Sequence, residues 1–159
     1  MKSFLLKSNA PIVKWSMVPD NTFFEGNVPE GYALAVAPSD NYIILDIDVK
    51  NDKDGYLFIP DNILSELEQS FMYNTKSGGA HCWLNYTGDK QLLNKATKYG
   101  LDLRVAKGSY AMGYVKYPHN VDIRQCIHLI KETSSDMNTW LESLFQGVKV
   151  DNQKLINNK

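Results

Sequence analysis

Tyr42-Ile43-Ile44-Leu45-Asp46-Ile47-Asp48 is the stretch that decides how this chain is read. In a strand successive side chains alternate faces, so Asp46 and Asp48 share one face while Leu45 and Ile47 take the other. Leu101-Asp102-Leu103-Arg104-Val105 repeats the pattern, with Asp102 and Arg104 over Leu101, Leu103 and Val105. Aspartate is depleted from strands and like charges on one sheet face repel, so carboxylates gathered this way call for a compensating cation. Paired hard oxygen donors suit Mg²⁺ or Mn²⁺. A strand end sliding into the polar loop Lys50-Asn51-Asp52-Lys53-Asp54-Gly55 accounts for Asp46 and Asp48 equally well, because aspartates are common in such loops. The loop does not read as an EF-hand: with Gly55 as its glycine, the first ligand position falls on Lys50 and the last on Asp61.

A second segment, Thr75-Lys76-Ser77-Gly78-Gly79-Ala80-His81, brings different chemistry. Gly78 and Gly79 let backbone approach a ligand closely, and Ser77 and a protonatable His81 add donors suited to phosphate oxygens. The Gly-Lys-Ser/Thr ending of a P-loop is missing, so a Walker-type site is not supported. The alternative is an ordinary glycine turn into a strand. Asp102 and Arg104 likewise read either as a plain salt bridge or as a metal ligand beside an arginine fork that fits phosphate.

The rest of the chain frames these segments. With 159 residues one domain is expected over 1–148, with an irregular Pro- and Gly-rich portion 1–31 wrapping it and a flexible tail over 149–159. Strands are expected at 33–37, 42–48, 71–74, 80–86, 101–105 and 112–116, and helices at 63–69, 90–98 and 136–146. Met137, Trp140, Leu141, Leu144 and Phe145 form an apolar stripe on the last helix, as core packing requires. A formal net charge of −1 removes any global basic field. Cys82 and Cys126 make neither a disulfide framework nor a zinc module with His119 and His128. No apolar run reaches membrane-spanning length, and the expectation is a soluble, cytoplasmic protein.

Taken in order, Asp46-Ile47-Asp48, Ser77-Gly78-Gly79-Ala80-His81 and Leu101-Asp102-Leu103-Arg104 resemble the three-motif signature of the archaeo-eukaryotic primase superfamily. The branch they look most like is the bifunctional primase-polymerase (prim-pol) family of phages, plasmids and mobile elements. Gly31-Tyr32-Ala33-Leu34-Ala35-Val36 and Gly113-Tyr114-Val115-Lys116-Tyr117-Pro118 sit where that family places Gly-Tyr-led strands, so the resemblance spans roughly residues 10 to 120. It implies an α/β (α+β) domain with a mainly antiparallel, RRM-like catalytic sheet flanked by helices. It also implies a primase/polymerase that transfers nucleotides from (d)NTPs by a two-metal mechanism in DNA replication. Asp46, Asp48 and Asp102 would hold two Mg²⁺ or Mn²⁺ ions; Ser77, Gly78, Gly79, His81 and Arg104 would bind the nucleotide.

The implied partners are nucleoside triphosphates, single-stranded DNA template and a separate helicase or template-binding protein. Lys14, Lys50, Lys76, Lys107 and Lys116 are the candidates for a template groove, and Trp15, Trp83, Tyr110 and Tyr114 for base stacking. After Pro118 the run His119-Asn120-Val121-Asp122 departs from the small polar residues of the family. Two other readings use the same residues: a catalytically silent protein that binds nucleotide or single-stranded DNA, and a two-metal nuclease or phosphohydrolase.

Overall fold

The computed structural model describes residues 1–118 and 122–146. In chain order the first strands are β1 (Lys2–Lys7), β2 (Ala10–Pro11), β3 (Tyr32–Ala37), β4 (Tyr42–Ile47), β5 (Val49–Lys50) and β6 (Lys53–Asp54). Helix α1 (Asp61–Glu68) leads into β7 (Phe71–Asn74), β8 (Ala80–Asn85), β9 (Lys95–Ala96) and β10 (Leu101–Arg104). Then come β11 (Ala106–Lys107), β12 (Tyr110–Ala111), β13 (Val115–Tyr117), β14 (Lys131–Glu132) and helix α2 (Ser135–Phe145).

The chain is a mixed α+β fold with mostly antiparallel sheets. A six-stranded sheet runs β14-β8-β4-β10-β9, with β7 sharing the far edge of β8. A four-stranded sheet runs β13-β3-β1-β2. Two-stranded hairpins β5-β6 and β11-β12 complete the described pairings.

The alternation in β4 works because each of its faces has its own core. Leu45 and Ile47 join Leu101, Leu103, Cys82 and Leu84 beneath the helices, where Ile63, Leu67, Met137, Leu141 and Phe145 close over them. Burying each of these large side chains contributes about 1.5–3 kcal/mol. From the opposite face Ile44, Trp83 and Tyr73 meet Val36, Val115 and Tyr117 of the four-stranded sheet. The order of layers is therefore helices, six-stranded sheet, four-stranded sheet. The apolar stripe of α2 packs as read: Met137, Leu141 and Phe145 are buried, and Trp140 and Leu144 pack against them.

Three expectations need correction. The portion 1–31 is not irregular throughout. Lys2–Lys7 is a full partner of Tyr32–Ala37, and its Phe4 and Leu6 enter a third core with Ala35 and Ala37. The prolines of this portion all lie beyond that strand, so its amides are free to pair.

The helix expected over 90–98 does not form. Leu92 bridges Gln146, and Lys95–Ala96 pairs with β10. Side chains claim the backbone there: Asn94 Oδ1 accepts from Val105 N at 3.0 Å, and Thr97 Oγ1 donates to Leu101 O at 2.6 Å. The strand expected over 112–116 starts later, at Val115, after Gly113. The tail 149–159 and His119-Asn120-Val121 lie outside the described residues. No helix among the described residues is long and apolar enough to cross a membrane.

Candidate active site

Register places the polar residues of β4, β8 and β10 side by side. Asp46 pairs across one ladder with Asp102 and across the other with His81, and His81 in turn pairs with Tyr73. One row across the sheet therefore reads Asp102, Asp46, His81, Tyr73. The next row on the same face reads Arg104, Ile44, Trp83, Phe71. The sequence could give the parity of each strand; the rows arise only from strand pairing.

His81 is the best-fixed member. Its imidazole is buried, with Nε2 3.5 Å from Asp46 Oδ1 and Nδ1 3.0 Å from the Tyr73 hydroxyl. Trp83 Nε1 donates to the same hydroxyl at 3.2 Å. The indole N–H can only donate, so the Tyr73 oxygen accepts it. With the hydroxyl proton directed at Nδ1, His81 carries its own proton on Nε2, the nitrogen that faces Asp46. Burial raises the Tyr73 pKa well above that of an ordinary tyrosine, so this hydroxyl remains a proton donor at any physiological pH. Tyr73 was not singled out in the sequence as a site residue, and Trp83 was read only as a base-stacking candidate, although the parity of Phe71-Met72-Tyr73 places Tyr73 on the face of β7 that adjoins His81.

Asp102 lies 3.8 Å from the Arg104 guanidinium. Its pKa is nevertheless raised: burial outweighs the attraction of Arg104, and Asp48 and Asp46 add repulsion. Asp48 follows the end of β4 and is held by backbone alone, Asp48 N donating to Gly100 O at 2.8 Å and Gly55 N donating to Asp48 O at 2.9 Å.

The arm 75–79 is the loop of the β7–β8 hairpin. It is closed by Thr75 N donating to Gly79 O at 2.9 Å and Gly78 N donating to Thr75 O at 3.1 Å. The two glycines serve different ends. Gly78 has φ +91°, a left-handed conformation that other residues resist, and a Cβ there would meet nothing within 4 Å. A Cβ on Gly79 would lie 2.0 Å from the carbonyl oxygen of Ile47, between Asp46 and Asp48. Glycine at 79 is thus what lets the arm press against the acidic strand.

These elements open into a cleft of about 670 Å³ between the two sheets. Asp46, Asp48, Ser77, His81 and Arg104 line it from the six-stranded side, and Tyr32, Tyr114, Lys116 and Pro118 from the other. Of the lysines read as a groove, Lys50, Lys76 and Lys116 line this cleft; Lys14 and Lys107 do not. Of the residues read as base-stacking, Trp83 is fully buried. Trp15 is packed against Phe4 and Tyr114, and Tyr110 is exposed. Asp102, beside Asp46 on the neighbouring strand, is not part of the lining.

In donor type the three aspartates fit a hard divalent cation, and the Asp102 pKa is raised chiefly by burial, with smaller repulsion from Asp48 and Asp46. Among the described residues, however, no group of three His, Cys, Asp or Glu side chains converges in ligating geometry. Asp46 faces His81 and Asp102 faces Arg104. The arrangement can bind an anionic group between Ser77, His81 and Arg104 and can offer carboxylates beside it. In comparison with known proteins, no family model and no curated protein matches the chain.

Proposed function

We propose that this protein is a template-dependent nucleotidyltransferase, a DNA primase/polymerase in which Asp46, Asp48 and Asp102 hold two Mg²⁺ or Mn²⁺ ions beside a nucleotide bound by Ser77, Gly78, Gly79, His81 and Arg104. The observation that carries the reading is the row Asp102, Asp46, His81, which sets carboxylates next to a phosphate-type donor across three neighbouring strands. In this reading the six-stranded sheet is the RRM-like catalytic sheet, and the four-stranded sheet, with β1 at its centre, forms the far wall of the cleft.

The bound ions would make the attacking 3′-hydroxyl more acidic and neutralise charge on the triphosphate and leaving pyrophosphate. The chain's own residues align the reactants. Ser77 and the arm's glycine backbone take the phosphates. His81, held by Tyr73, directs its Nε2–H at a phosphate oxygen, and Arg104 supplies a second charge-assisted contact. Lys50, Lys76 and Lys116 attract single-stranded DNA to the cleft mouth. A separate helicase or template-binding protein would supply the template, and the site of action would be the cytoplasm.

A second reading is a nucleotide- or single-stranded-DNA-binding protein without transfer activity. The pairs Asp102–Arg104 and Asp46–His81 favour it, since Arg104 offsets part of the acidic charge and the His81 imidazole already faces Asp46. Incubation with single-stranded template, labelled nucleotides and each metal, with and without a primer, separates the two. The first predicts extended or newly started strands that disappear in the folded Asp46→Ala/Asp48→Ala variant. Nucleotide binding without any product supports the second, and wild-type synthesis by that variant overturns the metal assignment.

A further inference from the structure

We infer that Gly113 is a positioning residue for Arg104: its bare α-carbon leaves room for the stem that carries the guanidinium into the cleft. The inference rests on the nucleotide-binding reading above, in which Arg104 makes the second charge-assisted contact to phosphate. A Cβ on Gly113 would lie 2.9 Å from Arg104 Cδ, 2.4 Å from Asn94 Oδ1 and 3.0 Å from Asn94 Cγ. Its φ lies outside the left-handed region, so space and not backbone conformation is what requires glycine here.

The pairing of the strands puts the glycine at this spot. Ala111 pairs with Ala106 and Tyr110 with Lys107 in the β11–β12 hairpin, and Met112 N donates to Val105 O at 3.0 Å. One step further in the same register sets Gly113 opposite Arg104. The chain then leaves the hairpin for β13 of the four-stranded sheet, so Gly113 stands at the seam between the two walls of the cleft.

Neither flank of the glycine is free to back away. Met112 is held by its bond to Val105, and the Tyr114 ring is braced by Phe4 and Trp15, each with its centroid 5.2 Å away. Asn94 Oδ1 accepts from Val105 N at 3.0 Å, which fixes the backbone immediately after Arg104. The Arg104 stem therefore runs between a pinned strand and a residue without a side chain, and its guanidinium ends 3.8 Å from Asp102. A methyl group at 113 would push the stem aside or prise Asn94 from Val105, and either shift moves the guanidinium.

The test is calorimetric titration of the full chain with dATP and Mg²⁺, without template. Gly113→Ala should weaken binding about tenfold, the scale of one lost charge-assisted contact. In the Arg104→Ala background, which has no Cδ for the methyl to meet, the same substitution should weaken it by about twofold or less. A glycine that served only the fold would cost the same factor in both backgrounds. Should Gly113→Ala alone fail to fold by circular dichroism, Asn94→Ala removes both Asn94 contacts and leaves the Arg104 contact in place. Adding Gly113→Ala to that variant should then weaken binding about tenfold with an unchanged dichroism spectrum. If the wild type binds dATP and Gly113→Ala binds it equally well, or loses the same factor with and without Arg104, the positioning role is refuted and the proposed activity stands. If the wild type binds neither dATP nor ATP, the nucleotide reading falls and the positioning role with it.

Discussion

A methyl group at position 79 cannot be accommodated without moving backbone. It would sit 2.0 Å from Ile47 O, 3.1 Å from Ile47 C and 3.3 Å from Thr75 Oγ1. A carbon approaches a carbonyl oxygen no closer than about 3.3 Å in comfort, so Gly79→Ala requires the arm and β4 to part by about 1 Å. The two closest contacts are backbone of Ile47 in β4, and Gly79 is itself backbone at the end of the hairpin loop, so neither side is a flexible side chain. Overpacking of this kind costs about 1–3 kcal/mol, and each kcal/mol lowers the melting temperature of a domain this size by roughly 2–4 °C. The expected loss is thus about 2–12 °C in a calorimetric scan.

The functional effect follows from position. Ile47 lies between Asp46 and Asp48, and Gly79 lies two residues before His81, so the parting widens the 3.5 Å gap between His81 Nε2 and Asp46 Oδ1. Nucleotide affinity, measured calorimetrically with divalent metal present, should fall with the melting temperature. Gly78→Ala is the companion variant. It strains a backbone at φ +91° in open space, costing about 1–2 kcal/mol of stability without separating the strands. A Gly79→Ala protein with wild-type melting temperature and wild-type nucleotide affinity would refute the claim that this close approach sets the site.

Two further outcomes follow from the buried polar row. Burial, with Asp48 and Asp46 adding, raises the Asp102 pKa despite Arg104, so the folded state is penalised once pH rises through that pKa and is not penalised below the unfolded value. Asp102→Asn should therefore raise the melting temperature in metal-free buffer at neutral pH. The advantage should shrink to nothing as acid protonates the wild-type carboxyl, and a gap that persists at low pH would contradict the account. Tyr73→Phe removes the acceptor of Trp83 Nε1 and the hydroxyl facing His81 Nδ1, leaving a buried donor unsatisfied at a cost of about 1–3 kcal/mol in urea unfolding. Nitrogen NMR of the imidazole should then show loss of a fixed Nε2–H tautomer, and an unchanged tautomer would show that Tyr73 does not set it.

The chain itself determined the local rules. Period-two alternation fixed which residues of 42–48 and 101–105 turn to the helical core, because burial of one strand face leaves no freedom for the other. The stripe Met137, Leu141, Phe145 fixed the buried face of α2 by the same logic at helical spacing. Gly78-Gly79 announced a close backbone approach, but not its partner, Ile47. Where local propensity was weak, tertiary pairing prevailed. Lys90–Lys98 carries enough helix formers to suggest a helix, yet Asn94 and Thr97 hand their side chains to Val105 and Leu101 and the segment joins the sheet.

Only the tertiary structure decided the site. Asp46, His81 and Asp102 are far apart in the chain, and nothing in the order of residues states that they share one row; that is a matter of register between β10, β4 and β8. The anchoring of His81 by Tyr73 and Trp83 and the close approach of Gly113 to Arg104 arise in the same way. A strand's own sequence sets which way its side chains point, but which side chains they meet depends on neighbours brought up from elsewhere in the chain.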